Sequence, residues 1–143
     1  MAQTLKEKLA SYPTPSAGLA LGIASLGWCW ENVLPLGGMA QLTGALIAAV
    51  MIALVFAKFA THPKVLWNEL AHPVIGSVIP TSAMATMVIS ASLSKFNPAG
   101  GALLWYAAVA AHVLFLIVFV ANRAKRFELQ HMVPSWFVPP VGL

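Results

Sequence analysis

Residues 39–60 read MAQLTGALIAAVMIALVFAKFA, and this run decides the fold. A helix needs about 20 mostly apolar residues to cross the hydrocarbon core of a bilayer. This stretch is long enough, and in lipid its backbone groups must bond within the segment. Working outward, the run is preceded by Pro35-Leu36-Gly37-Gly38, which is turn chemistry. Before that turn lies a second apolar window, Ser16–Leu34. After the run, Thr61–His72 is polar and holds His62-Pro63-Lys64, Glu69 and His72-Pro73. Two more windows follow, Pro73–Leu93 and Gly101–Asn122, joined by the turn Lys95–Gly101. Arg123–Gln130 is charged, and Val133–Leu143 is apolar again but too short to span. It reads as the opening of a fifth span. The expectation is an all-α polytopic membrane protein of one transmembrane domain, residues 1–143. Its four spans form two helical hairpins over about 16–34, 39–60, 73–93 and 101–122, with a partial fifth segment over 133–143.

Composition supports lipid as the solvent. Of the 143 residues, 59% are hydrophobic and 8% charged, whereas a soluble domain carries about 25% charged residues. Mean hydropathy is +0.82. The polar stretch Met1–Tyr12 and the spans that follow the first window argue against a cleavable signal. Cys29 is the single cysteine, so an intrachain disulfide is excluded, and it reads as a small apolar residue.

The formal net charge of +4 reads as a topology signal, since no run of basic and aromatic residues suggests a nucleic-acid surface. Lys6, Lys8, Lys58, Lys64, Arg123, Lys125 and Arg126 fall on one side of the spans and Lys95 alone on the other. The positive-inside rule places the richer side, including the N-terminus, in the cytoplasm. The expected location is the inner (plasma) membrane of a bacterium. Trp28, Trp30, Trp67 and Trp105 near span ends fit an aromatic belt, and Glu31 falls at the outer end of the first span as a candidate for the outer mouth.

The spans differ in kind. The first holds Gly18, Gly22, Ser25 and Gly27. The third holds Gly76, Ser77, Pro80, Thr81, Ser82, Thr86, Ser90 and Ser92. The second and fourth are smoother and greasier. Pro80 removes a backbone donor and opens the carbonyl of Gly76, so the third span should kink there. Opened carbonyls and hydroxyls are tolerated in lipid only against protein or water. Spans one and three are therefore expected inside, and two and four outside. Tight packing of helices alone is the competing explanation of the small residues. Prolines at or near the cytoplasmic start of each odd element (Pro13 and Pro15, Pro73, Pro134) suggest a hairpin repeated twice and begun a third time.

Three stretches also carry a resemblance. Tyr12–Trp28 (YPTPSAGLALGIASLGW) resembles the first helix of the tellurite-resistance/dicarboxylate transporter family, which includes malate permeases and plant slow-type anion channels. His72-Pro73-Val74 leading to Ile79–Met84 is similar to its third helix, and His131–Gly142 to the start of its fifth. The resemblance implies ten helices in five hairpins, odd helices lining a central pore, and a homotrimer. It also implies small-anion substrates: chloride, nitrate, malate or, by phenotype, tellurite. On it, Gly18, Gly22, Ser25, Ser77, Pro80, Thr81 and Thr86 are candidates for the pore wall. The chain reaches only the start of the fifth helix, so the family's later odd helices have no counterpart in it. It is then a fragment of a longer relative or works with another chain.

No catalytic residue, metal site or cofactor is expected. The sequence contains no G-x-S-x-G, phosphate-binding glycine loop or paired carboxylates. Hydroxyls of Ser77, Thr81 and Thr86 are candidate donors to a passing anion, the alternative being bonds to carbonyls of their own helix. His112 lies mid-span and is read as an interhelical hydrogen-bonding imidazole, while His62, His72 and His131 flank span ends as interfacial residues. The competing function is a four-helix membrane module that binds a partner protein and conducts nothing. An intramembrane enzyme or metal handler using His112 is the least favoured reading.

Overall fold

A computed structural model of the chain describes residues 5–125, 127, 128 and 132–142. Arg126 and His131, used above as a cytoplasmic charge and an interfacial histidine, lie outside the described residues. The described chain is all-helical. A short α1 (Leu5–Ala10) precedes α2 (Ser16–Val33) and α3 (Met39–Thr61). An amphipathic α4 (Pro63–Ala71) leads to α5 (Ile75–Val78), α6 (Pro80–Ser94) and α7 (Pro98–Lys125). A 3-10 turn (Pro134–Phe137) runs into α8 (Val138–Val141).

Three helical stretches are long and apolar enough to cross a membrane: Met39–Thr61, Ile75–Ser94 and Pro98–Lys125. The expected count of four spans is thus not reached by length and composition alone. Helix α2 has 18 residues, but its glycines, Ser25, Glu31 and Asn32 lower its hydropathy. Helix α7 is longer than the expected window at both ends. Asn97 and Pro98, read from sequence as part of a turn, start it: the Asn97 Oδ1 accepts from the Gly100 N–H at 2.9 Å, and Pro98 takes the first helical position. That is the N-cap and N1 chemistry these residue types favour.

The helical hydrogen bonding of the third span is interrupted at its proline, with α5 ending at Val78 and α6 starting at Pro80, while Ile79 between them keeps helical dihedrals. It is also the most buried of the three, at 61% against 39% for Met39–Thr61 and 17% for Pro98–Lys125. The inside–outside expectation therefore fits α6 and α7 but needs correcting for the first hairpin. Helix α2 buries one narrow face, Ala17, Ala20, Ala24 and Gly27, and exposes Leu19, Leu26 and Trp30. Helix α3 buries more than a lipid-facing helix should, because it packs against both α2 and α6. Its Gly44 meets Gly27 at a backbone-to-backbone crossing where a Cβ on Gly27 would lie 2.5 Å from the Ala40 carbonyl oxygen. Small residues give close helix approach in membranes, where van der Waals packing replaces the hydrophobic drive.

Candidate functional site

The elements read as odd-numbered spans converge on one open groove of about 420 Å³. Leu21 and Ser25 of α2, Met84, Met87 and Val88 of α6, and Val141 and Gly142 line it. Of the residues singled out from sequence, only Ser25 lines this groove. Gly22, on the same helix, is exposed, and a Cβ there would meet nothing within 4 Å. Gly18 instead faces α6, since a Cβ on it would lie 3.9 Å from Thr81 Oγ1.

The hydroxyl candidates Ser77, Thr81 and Thr86 do not line the groove. Ser77 is fully buried and its hydroxyl lies 2.7 Å from both the Val74 carbonyl and the Ser135 hydroxyl. Thr81 donates to the Val78 carbonyl and Thr86 to the Ser82 carbonyl, each at 2.7 Å. Pro80 is buried at the break. All four are buried within the described bundle. Met84, Met87 and Val88 escaped the sequence reading because only polar and small residues were taken as wall candidates.

His112 holds the groove's elements together. It is fully buried, with Nε2 2.8 Å from the Pro139 carbonyl oxygen and Nδ1 3.4 Å from that of Pro80. A side chain on the least buried span thus reaches inward and joins the proline-broken helix to the fifth segment. A neutral imidazole donates from one nitrogen, and the shorter contact marks the Nε2–H to Pro139 as that bond. His112→Leu removes the donor and leaves the Pro139 carbonyl unpaired, while His112→Gln keeps an N–H. We expect His112→Leu to lower stability by about 1–3 kcal/mol and His112→Gln to restore at least half. Thermal unfolding midpoints in detergent check this, and equal losses in both variants would assign the effect to packing alone.

The end of the bundle that carries Lys58, Glu69 and Arg123 is organised by charge in a way the sequence did not disclose. Lys58 was expected to be a topology charge at the membrane surface. It is 3% exposed, and its Nζ bonds Glu69 Oε1 at 2.7 Å, Thr14 Oγ1 at 2.9 Å and the Tyr12 carbonyl at 3.0 Å. Thr14 Oγ1 closes the ring by donating to Glu69 Oε2 at 2.5 Å. The chain entering α2, the end of α3 and helix α4 thereby share one ion pair. Arg123 is also buried, donating from Nη2 to the Ala71 carbonyl and lying over the Trp136 ring at 5.9 Å. Trp136 in turn donates from Nε1 to the Pro73 carbonyl at 2.9 Å. His72, expected as an interfacial residue, accepts at Nδ1 from the Val74 and Ile75 N–H groups, both at 3.2 Å, just before α5. Glu31, at the opposite end, accepts from the Gly38 N–H at 2.6 Å through Oε1. Among the described residues, no group of three or more His, Cys, Asp or Glu is placed to hold a metal.

Residues 14–143 match the family described as SLAC1, voltage-dependent anion channel. Two proteins of Methanocaldococcus jannaschii, each named an uncharacterized transporter, are also similar. One is 34% identical over 102 residues, covering 68% of this chain and 30% of the relative. The other is 30% identical over 79 residues, covering 52% of this chain and 23% of the relative. The matched part is about a third or less of either relative's length.

Proposed function

Because this chain belongs to the SLAC1 voltage-dependent anion channel family, a family of multi-pass membrane transport proteins, we propose that it supplies part of the wall of a pore for small anions. The carrying observation is the groove on which α2, α6 and the Val141–Gly142 end converge. Its lining holds no charged side chain, only aliphatic and thioether groups, a hydroxyl and a glycine. A wall of that kind suits weak, brief contact, which conduction requires. It favours monovalent anions such as chloride or nitrate over C4-dicarboxylates such as malate, for which a fixed cation would be needed. Tellurite resistance would follow from passage of a related oxyanion. The seven-to-one distribution of Lys and Arg supports a plasma-membrane orientation with the N-terminus in the cytoplasm. The short match to much longer relatives supports reading this chain as the N-terminal part of a ten-helix protein, and the family resemblance supports a homotrimer.

Flux through the full-length protein tests the reading. Gly22 and Ser25 are the positions of choice, because Gly22 is exposed with nothing within 4 Å of an added Cβ and Ser25 lines the groove. Gly22→Leu and Ser25→Leu should cut chloride or nitrate flux into liposomes at least about tenfold, equivalent to about 1.4 kcal/mol on the barrier, with unchanged yield. Unchanged flux in both would overturn the pore assignment and favour a non-conducting module that binds a partner.

A further inference from the structure

At the end of the bundle opposite Lys58 and Arg123, a second cavity of about 230 Å³ lies between the α2–α3 turn, α3 and the end of α6. Gly37, Gly38, Gln41, Ser92, Lys95 and Phe96 are among its lining residues, and none of the cavity's residues belongs to the groove. Its chemistry differs too. Helix α6 carries six hydroxyl side chains, and five donate to carbonyls three or four residues back: Thr81, Ser82, Thr86, Ser90 and Ser94. Ser92 is the exception. It is 4% exposed, and its buried Oγ has no hydrogen-bond partner. Gln41, across the cavity on α3, is also 4% exposed, and its amide makes no hydrogen bond among the described residues.

Lys95 stands at the rim, exposed, and pairs with no carboxylate among the described residues. Its Nζ approaches the backbone of Gly38 so closely that a Cβ there would lie 3.5 Å away. Gly37 and Gly38 both have positive φ, 67° and 88°, so the turn wraps this rim without side chains. An ammonium, an amide NH₂ and a hydroxyl are all donors. Buried polar groups are costly when unpaired, so the Ser92 hydroxyl, with the Gln41 amide and an unpaired cation beside it, favours a ligand that can accept from all three.

We propose that this pocket binds a monovalent inorganic anion of halide or nitrate size between Lys95 Nζ, the Gln41 amide and the Ser92 hydroxyl. The site stands apart from conduction through the groove, and either assignment can fail alone. Glu31 sets its strength. One carboxylate oxygen is spent on the Gly38 N–H and the other is buried without a partner, so a negative charge borders the turn that forms the rim. That charge opposes the anion, and Glu31→Gln should tighten the site.

Two measurements on the full-length protein test this. In crystals soaked in iodide, anomalous density is expected within hydrogen-bonding reach of Lys95 and Ser92. In lipid nanodiscs, the rate of Lys95 acylation by a succinimidyl ester, read on its peptide by mass spectrometry, should fall saturably with nitrate. Gluconate holds the ionic strength constant. Ser92→Ala should raise the half-protecting nitrate concentration on the order of tenfold, and Glu31→Gln should lower it. Four results overturn the site: no iodide density there, protection equal in gluconate and nitrate, protection unchanged in both Ser92→Ala and Gln41→Leu, or density without protection, which means binding at crystal concentration only.

Discussion

Gly27→Leu is expected to prevent the first hairpin from forming. The Cβ alone would sit 2.5 Å from the Ala40 carbonyl oxygen and 3.3 Å from the Gly44 Cα, and both obstacles are backbone. The partner position is as tight, with a Cβ on Gly44 falling 2.8 Å from the Ile23 carbonyl oxygen. No rotamer relieves a clash that begins at Cβ, so α2 and α3 must move apart. Separation would also lose the contacts of Ala20, Ala24 and Ala48, all buried at or near zero exposure. Overpacking typically costs about 1–3 kcal/mol where side chains can adapt, so a clash with backbone should reach or exceed the upper end. The expected result is loss of monodisperse protein after extraction in detergent, with Gly27→Ala intermediate. Wild-type yield and thermal midpoint for Gly27→Leu would show that the helices do not cross so closely.

The second large effect is expected at Lys58. Lys58→Met leaves the Glu69 carboxylate, half-buried and bonded to Thr14, without its cation. Breaking a buried pair by removing one partner costs about 3–5 kcal/mol, because the remaining charge is stranded. A fall in thermal midpoint on the order of 10 °C should follow. The double variant Lys58→Met/Glu69→Leu should recover much of this, since it strands no charge, and the difference between the single and double variants measures the coupling. Additive losses would mean that the two side chains do not act as a pair. The same variants ask whether this junction does more than hold the fold. If the double variant is stable yet its anion flux is altered, the docking of α4 on α2 and α3 influences passage.

Residue types fixed by solvent were legible. A run such as residues 39–60 can only be a helix in lipid, and Pro80 can only interrupt the helix that contains it, which is where α5 ends and α6 begins. The contrast between spans also translated into structure where it was strongest, in the well-buried Ile75–Ser94 and the exposed Pro98–Lys125. Sequence left the individual polar residues open. A hydroxyl on a small-residue helix has two uses, donating to a ligand or to its own backbone. Spacing does not distinguish them: Thr81 and Thr86 were candidates and Ser92 was not, yet of these three it is Ser92 that is left without a partner.

Charge carried the same ambiguity. Counting lysines assigns a side of the membrane, because that rule depends on number alone. Whether a lysine stays at the surface or turns inward depends on what lies within reach of its ammonium. For Lys58 the answer comes from Tyr12 and Thr14, more than forty positions earlier, and from Glu69, on the next helix. His112 follows the same logic, with partners at Pro80 and Pro139 on two other elements. The sequence by itself determined that this chain lies in lipid as packed helices, one of them broken by proline, since those outcomes follow from composition and local backbone chemistry. Only the tertiary structure decided which of its few polar groups are spent on one another and which remain for a ligand, because that depends on contacts between residues far apart in the chain.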